Sequence, residues 1–358
     1  MNGSSELPSE PLLPEALGED EKQRPQPADE SSSDDGSRDW IAAMRKLADQ
    51  LERDSIDRGD LKILHRSTSE LHDAFRIFGP YRRRRKVTLF GSARTPESHP
   101  AYHQAESFAS MMAGHDWMVV TGSGGGIMEA GNRGAGRAMS MGLNIQLPFE
   151  ARPNRYIDGD PKLIEFKYFF TRKLMLVKEC SAAVACPGGF GTLDEMLEVL
   201  TLLQTGKQTM IPLVLLDAPC GRFWRHFEEF YREQLEATGW VGPEDRNLFR
   251  IVDRAEEAVD EILRFYRNYH SMRYVGPRLV LRIQKPVSSA QLDRLNRQFG
   301  HLLLDGKIEQ RSAFRQEANE PELAELPRLA MRLDRRQAGG LRGLIDAING
   351  ANDQPPVE

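Results

Sequence analysis

The stretch SAAVACPGGFGTLDEMLEVLTLLQ, residues 181–204, passes from an apolar run through a glycine turn into a helix-like run that opens with carboxylates. Its middle, CPGGFGTLDEM, packs three glycines, a proline, a threonine and two acids into eleven residues. A tight strand-to-helix turn without a ligand can use such residues. So can an anion site, because glycines let the backbone approach closely and the first N–H groups of a helix favour negative charge.

Working outward, KVTLF, WMVVTG, GLNIQLP, MIPLVLLD and LFRIVD are further short apolar runs rich in β-branched residues. Helical stretches such as HQAESFASMMAG, MEAGNRGAGRAM and FWRHFEEFYREQL lie between most of them. Apolar strands alternating with helices predict an α/β fold, a doubly wound parallel sheet of Rossmann-like type buried on both faces. Ligands of such sheets sit beyond the carboxyl ends of the strands, where the glycines fall. We assign this unit to residues 81–270.

The rest of the chain divides around it. Through Asp39 the N-terminus carries eleven acids against three bases and few large apolar residues, so residues 1–38 are expected to be a disordered acidic tail. In residues 39–80, Ile41, Met44, Leu47 and Leu51 recur at helical spacing, and a second such pattern stops at Gly79-Pro80. These predict N-terminal helices packed on something downstream. Residues 271–349 suggest a small β-α-β-β-α module, an α+β unit for packing or oligomerisation, and residues 350–358 a frayed end.

Bulk properties bound the function. A formal charge of −5 over 358 residues argues against a general nucleic-acid binder. The run YRRRRKV, residues 81–87, reads instead as a solvated junction or a contact for an acidic partner. Three cysteines without metal-ligand spacing fit a reduced, cytoplasmic protein with no metal site. Neither a signal peptide nor a membrane span is expected.

Two more loops resemble the first. FGSARTP offers Ser92 and Arg94 after one strand, and TGSGGGIMEAGNRGAG offers Gly124, Gly125 and Gly126 after another. Neither is a dinucleotide fingerprint or a P-loop, but together they favour a nucleotide phosphate. Thr192 and Glu195 have two readings. Thr-x-x-Glu is a capping box, yet Glu195 also stands one turn into the helix, where it can look back over the loop. A carboxylate beside an anion cradle needs a cation, and Arg172-Lys173 in KYFFTRKLMLVKEC could supply it.

At this point the residues resemble the LOG ("Lonely guy") family, cytokinin riboside 5′-monophosphate phosphoribohydrolases. Its signature P-G-G-x-G-T-x-x-E stands here as PGGFGTLDE, residues 187–195, with the Arg-Lys pair and both other loops in order. The older label "lysine decarboxylase" attaches to the same motif, but nothing in the sequence suggests a pyridoxal-phosphate site. The resemblance implies hydrolysis of the N-glycosidic bond of a nucleoside 5′-monophosphate, with no cofactor and no metal. It makes Arg172 and Glu195 the catalytic pair. Gly188, Gly189, Gly191 and Thr192 would hold the phosphate with Lys173 nearby, and Glu150 and Thr201 would be further substrate-binding positions. AMP, N6-modified AMP and other purine or pyrimidine nucleotides all remain open as substrate, as does a non-catalytic carrier. The resemblance also implies a homodimer or higher homo-oligomer.

Overall fold

The structure is a computed structural model that describes residues 35–147 and 152–350. The expected acidic tail and frayed end, and Glu150, lie outside the described residues.

Two helices come first, α1 (Asp35–Arg53) and α2 (Arg58–Phe78). Asp57 starts α2 by accepting a hydrogen bond from the Gly59 N–H. Helix α2 buries Glu70, Ala74 and Phe78, one stripe at i, i+4, i+8. Helix α1 corrects the expectation of packing: Trp40, Ile41, Met44 and Leu47 stand exposed. The amphipathic pattern is real, but among the described residues nothing covers its apolar stripe.

The predicted strands form β1 (Lys86–Phe90), β2 (Met118–Thr121), β3 (Ser140–Ile145), β5 (Ala182–Ala185), β6 (Leu213–Leu216) and β7 (Arg250–Val252). A further strand, β4 (Leu163–Phe166), was not legible because Glu165 interrupts four residues at a half-exposed sheet edge. All seven pair in parallel in the order β4-β3-β2-β1-β5-β6-β7. The chain therefore reverses direction across the sheet between β1 and β5, which is its topological switch point.

Alternation decides which helix covers which face. Val87 and Leu89 pack with α3 (Pro100–Gly114), α4 (Ile127–Met139) and α8 (Ala255–Phe265). Phe90, Met118 and Val120 point the other way, to α5 (Phe169–Lys178) and α6 (Phe190–Gln204). Helix α7 (Phe223–Phe230) follows β6 and buries Trp224.

The C-terminal part is a four-stranded antiparallel sheet of β8 (Tyr269–Val275), β9 (Arg278–Ile283), β10 (Leu303–Arg311) and β11 (Arg328–Leu333), ordered β10-β11-β9-β8. Helices α9 (Ser289–Phe299) and α10 (Ala338–Ile348) accompany it. Strand β8 was missed because its side chains are mostly half-buried and its pattern is weak. One apolar cluster runs unbroken from Met118 and Leu143 to Leu281, Leu329 and Leu344. At its margin Arg342 of α10 pairs with Glu261 of α8.

The basic run is also corrected. Lys86 is 1% exposed, and its ammonium donates to the carbonyls of Tyr81 and Arg84. Arg85 stacks 3.6 Å from the Tyr266 ring centroid, and Arg84 pairs with Asp116 at 2.6 Å. Much of this charge is therefore spent inside the molecule.

Candidate functional site

Three strand ends meet at the switch point. After β1, the Ser92 N–H donates to the Pro187 carbonyl at 3.2 Å, and the Ser92 carbonyl accepts from the Ile127 N–H at 3.0 Å. The backbone of one residue thus ties the loop after β1 to those after β2 and β5. The Ser92 hydroxyl accepts from the Arg94 N–H. Ser92, expected to bind substrate, is placed as the knot between loops.

Two glycines permit this closeness. Gly126 has φ +61°, and a methyl there would lie 2.3 Å from the Ser92 carbonyl oxygen. A methyl on Gly188 would lie 2.2 Å from Thr192 Oγ1 and 3.0 Å from the Ser92 nitrogen. Larger side chains fit at neither. By contrast, a methyl on Gly189 or Gly191 would meet nothing within 4 Å, so open space lies above the start of α6. Gly124 lies against Met128, and Gly125 faces the Ala93 carbonyl and Glu129.

Gly189 is the N-cap of α6 and no side chain caps that helix. The capping-box reading of Thr192 and Glu195 is therefore not realised. The helix begins earlier than that box requires, Thr192 is buried under Gly188, and the first amides of α6 keep no intrahelical acceptor.

Glu195 turns to Arg172. Arg172 Nη2 donates to Glu195 Oε1 at 2.7 Å, with both side chains largely buried. The guanidinium also lies against Gly122 of the second loop, since a methyl there would be 3.6 Å from Nη1. Arg172 Nε is buried with no partner among the described residues. Burial pushes the Glu195 carboxyl above the usual carboxylate range, and the Arg172 charge opposes this without cancelling it.

Lys173 lies beside this pair but reaches α6 instead, 2.9 Å from Asp194 and 2.7 Å from Glu198. Burial alone would lower its ammonium, but hydrogen bonds to Glu198 and Asp194 outweigh that and hold it raised. Thr201 is not brought to the cradle. It lies on the exposed side of α6, and its hydroxyl donates to the Leu197 carbonyl.

Sequence reasoning missed the supports beneath. Asn154 Nδ2 donates to the carbonyls of Ser123 and Gly124 and to Asn132 Oδ1, and so pins the second loop. Glu70, 3% exposed, accepts from the Lys167 N–H at 2.8 Å and the Thr171 hydroxyl at 2.6 Å. It thereby fixes the start of α5, the helix that carries Arg172. The pairing of polar asparagines with glycine loops could have flagged Asn154; nothing local flags Glu70. Among the described residues no group of three or more His, Cys, Asp or Glu is placed to hold a metal, and no helix is long and apolar enough to cross a membrane.

An open parallel α/β sheet with three glycine-containing loops joined at its switch point defines a Rossmann-like protein with a candidate anion cradle. Within that class, the chain is similar to proteins of the LOG family. The family model described as "Possible lysine decarboxylase" matches residues 125–262. A probable cytokinin riboside 5′-monophosphate phosphoribohydrolase of rice (Oryza sativa subsp. japonica) is 32% identical over 99 residues, 28% of this chain and 44% of its own. The chain thus spans less than half of that relative. A cytokinin riboside 5′-monophosphate phosphoribohydrolase of Mycobacterium tuberculosis is 26% identical over 170 residues, 47% of this chain and 88% of its own. Among solved structures, a molybdenum cofactor carrier protein from Chlamydomonas reinhardtii is 21% identical with TM-score 0.36, over 51% of this chain and 99% of its own.

Proposed function

We propose that the chain hydrolyses the N-glycosidic bond of a nucleoside 5′-monophosphate, AMP or an N6-modified AMP, releasing free base and ribose 5-phosphate. The observation that carries this reading is the buried Arg172–Glu195 pair beside a cradle of unsatisfied helix amides. The names of the rice and mycobacterial relatives support the same reaction class.

In this reading the 5′-phosphate sits on the open start of α6, over Gly189 and Gly191. Anchoring it holds the pentose across the cradle and converts binding energy into position. The C1′–N bond then breaks with its electron pair leaving on the base nitrogen, which takes a proton. The sugar becomes oxocarbenium-like. Glu195, ionised and oriented by Arg172, stabilises that charge and directs a water whose oxygen bonds to C1′. The one proton that this water releases on bonding balances the one taken up by the base nitrogen, and its other proton stays on the new C1′ hydroxyl. A carboxylate that meets positive charge chiefly in the transition state raises turnover rather than affinity. Glu150 and Thr201 remain proposed substrate positions, with Thr201 reaching a site only across a subunit boundary.

Self-association belongs to the same reading. Phe169, Phe170 and Leu174 of α5 and Phe190 and Leu197 of α6 are exposed, Phe190 at 93%. An apolar patch of this kind next to the site supports a homodimer or larger assembly. The deciding experiment is incubation with AMP, GMP, CMP and isopentenyladenosine monophosphate, with detection of free base and ribose 5-phosphate. Base release by the wild type but not by Glu195→Ala is expected. Stoichiometric nucleotide binding without base release would instead leave a carrier.

A further inference from the structure

We infer that the groove between α2 and the ends of β3 and β4 is a second anion site, built for a small ligand with several phosphate groups. The groove is wide open, with a volume of about 700 Å³, and is lined by Arg58, Lys62, His65, Arg66, Lys167 and Tyr168, with Leu61 at its rim. Among the described residues its lining carries four permanent positive charges and no carboxylate. Of the four, only Arg66 is ion-paired among the described residues, with Glu70.

Three physical points separate this from an ordinary solvated face. First, Arg58, Lys62 and Arg66 stand at successive i,i+4 positions. Like charges at that spacing destabilise a helix, where alternating signs would support it. Second, the charges gather along one open groove, where their fields add with the same sign. This happens in a chain whose formal charge is −5. Third, the donors suit phosphate: guanidinium forks bind phosphate oxygens in pairs, and ammonium groups add point charge. One phosphate would leave most of the cations unmet; several would match them. Tyr168 and Leu61 add an aromatic and an aliphatic surface for an uncharged part of the ligand.

The position has a consequence inside the fold. Arg66 Nε donates to Glu70 Oε1 at 2.9 Å, and Glu70 in turn holds Lys167 and Thr171. The groove is thus connected, through one buried carboxylate, to the start of the helix that bears Arg172. None of the lining residues belongs to the three glycine loops, and the inference does not depend on which reaction the loops support.

Calorimetric titration of the whole protein with inorganic tripolyphosphate at low salt tests it. The wild type is expected to bind one equivalent per chain, and the doubly reversed Arg58→Glu/Lys62→Glu variant to lose at least about tenfold in affinity from two lost charge-assisted contacts. Both side chains are exposed, so the fold should survive; Lys167→Gln, from the opposite wall, gives a second, smaller loss. Absence of binding by the wild type overturns the inference. So does equal binding by wild type and reversed variant, which would place the probe in the glycine cradle.

Discussion

Glu195 is held in two opposed ways: burial favours its neutral acid, and Arg172 at 2.7 Å favours the carboxylate. Burial prevails, so the acid limb of kcat/KM should lie above the usual glutamate range, with activity lost as pH falls through that raised value. Arg172→Gln should move the limb further up, since burial is then unopposed; a pH–rate profile of both proteins decides. For stability the sign is reversed from that of a salt-bridged acid. The native state holds this proton more tightly than the unfolded chain, so stability drops as pH rises from the ordinary value through the raised one. Glu195→Gln should remove that slope in denaturant titrations. Glu195→Ala should lower turnover by roughly 10²–10³-fold, the scale of one preorganised electrostatic group. Gly188→Ala should cost about 1–3 kcal/mol through overpacking against Thr192 and the Ser92 amide, read as a shift in denaturation midpoint. These residues were legible because the motif is local. Thr192 and Glu195 were ambiguous for the same reason: one spacing serves a capping box and a candidate catalytic acid, and the helix start at Gly189 excludes the capping box. Asn154 was not legible, because its partner Ser123 lies 31 residues away.

At the scale of elements, the strands buried on both faces were legible, and so was the edge strand β7, whereas the edge strands β4 and β8 were not. Strands β1, β2, β5 and β6 are buried along their whole length and largely apolar. Strands β4 and β8 sit at sheet edges, where half of each strand answers to water. Helix α2 was read as a helix, but its role as a clamp on α5 was not, because Glu70 meets Thr171 across 101 positions. Glu70→Ala should leave the Thr171 hydroxyl and the Lys167 N–H without their partner and cost about 1–3 kcal/mol. If Glu70 positions α5, kcat should fall more than KM rises, and Glu70→Gln should restore part of the loss. A purely structural role would lower stability and leave kcat of the folded fraction unchanged. For the exposed helix faces, Phe170→Glu/Phe190→Glu should shift the protein toward the monomer in sedimentation velocity.

Across the whole molecule, the two sheets share one apolar interior, and α10 is seated tightly within it. A methyl on Gly339 would lie 2.1 Å from the Glu244 carbonyl oxygen, and Arg342 and Arg250 hold Glu261 and Asp346 between them. Unfolding of residues 81–349 should accordingly follow a single calorimetric transition, with no separate melting of the smaller sheet. Composition and alternation made the parallel sheet readable. They could not show this fusion, which depends on faces of β9, β11 and α10 that look self-contained in the sequence. The mycobacterial relative matches only 47% of this chain. A recombinant fragment cut after Phe265 would strip the greasy flank of the larger sheet of its cover, and the product to expect is inclusion bodies rather than a folded domain.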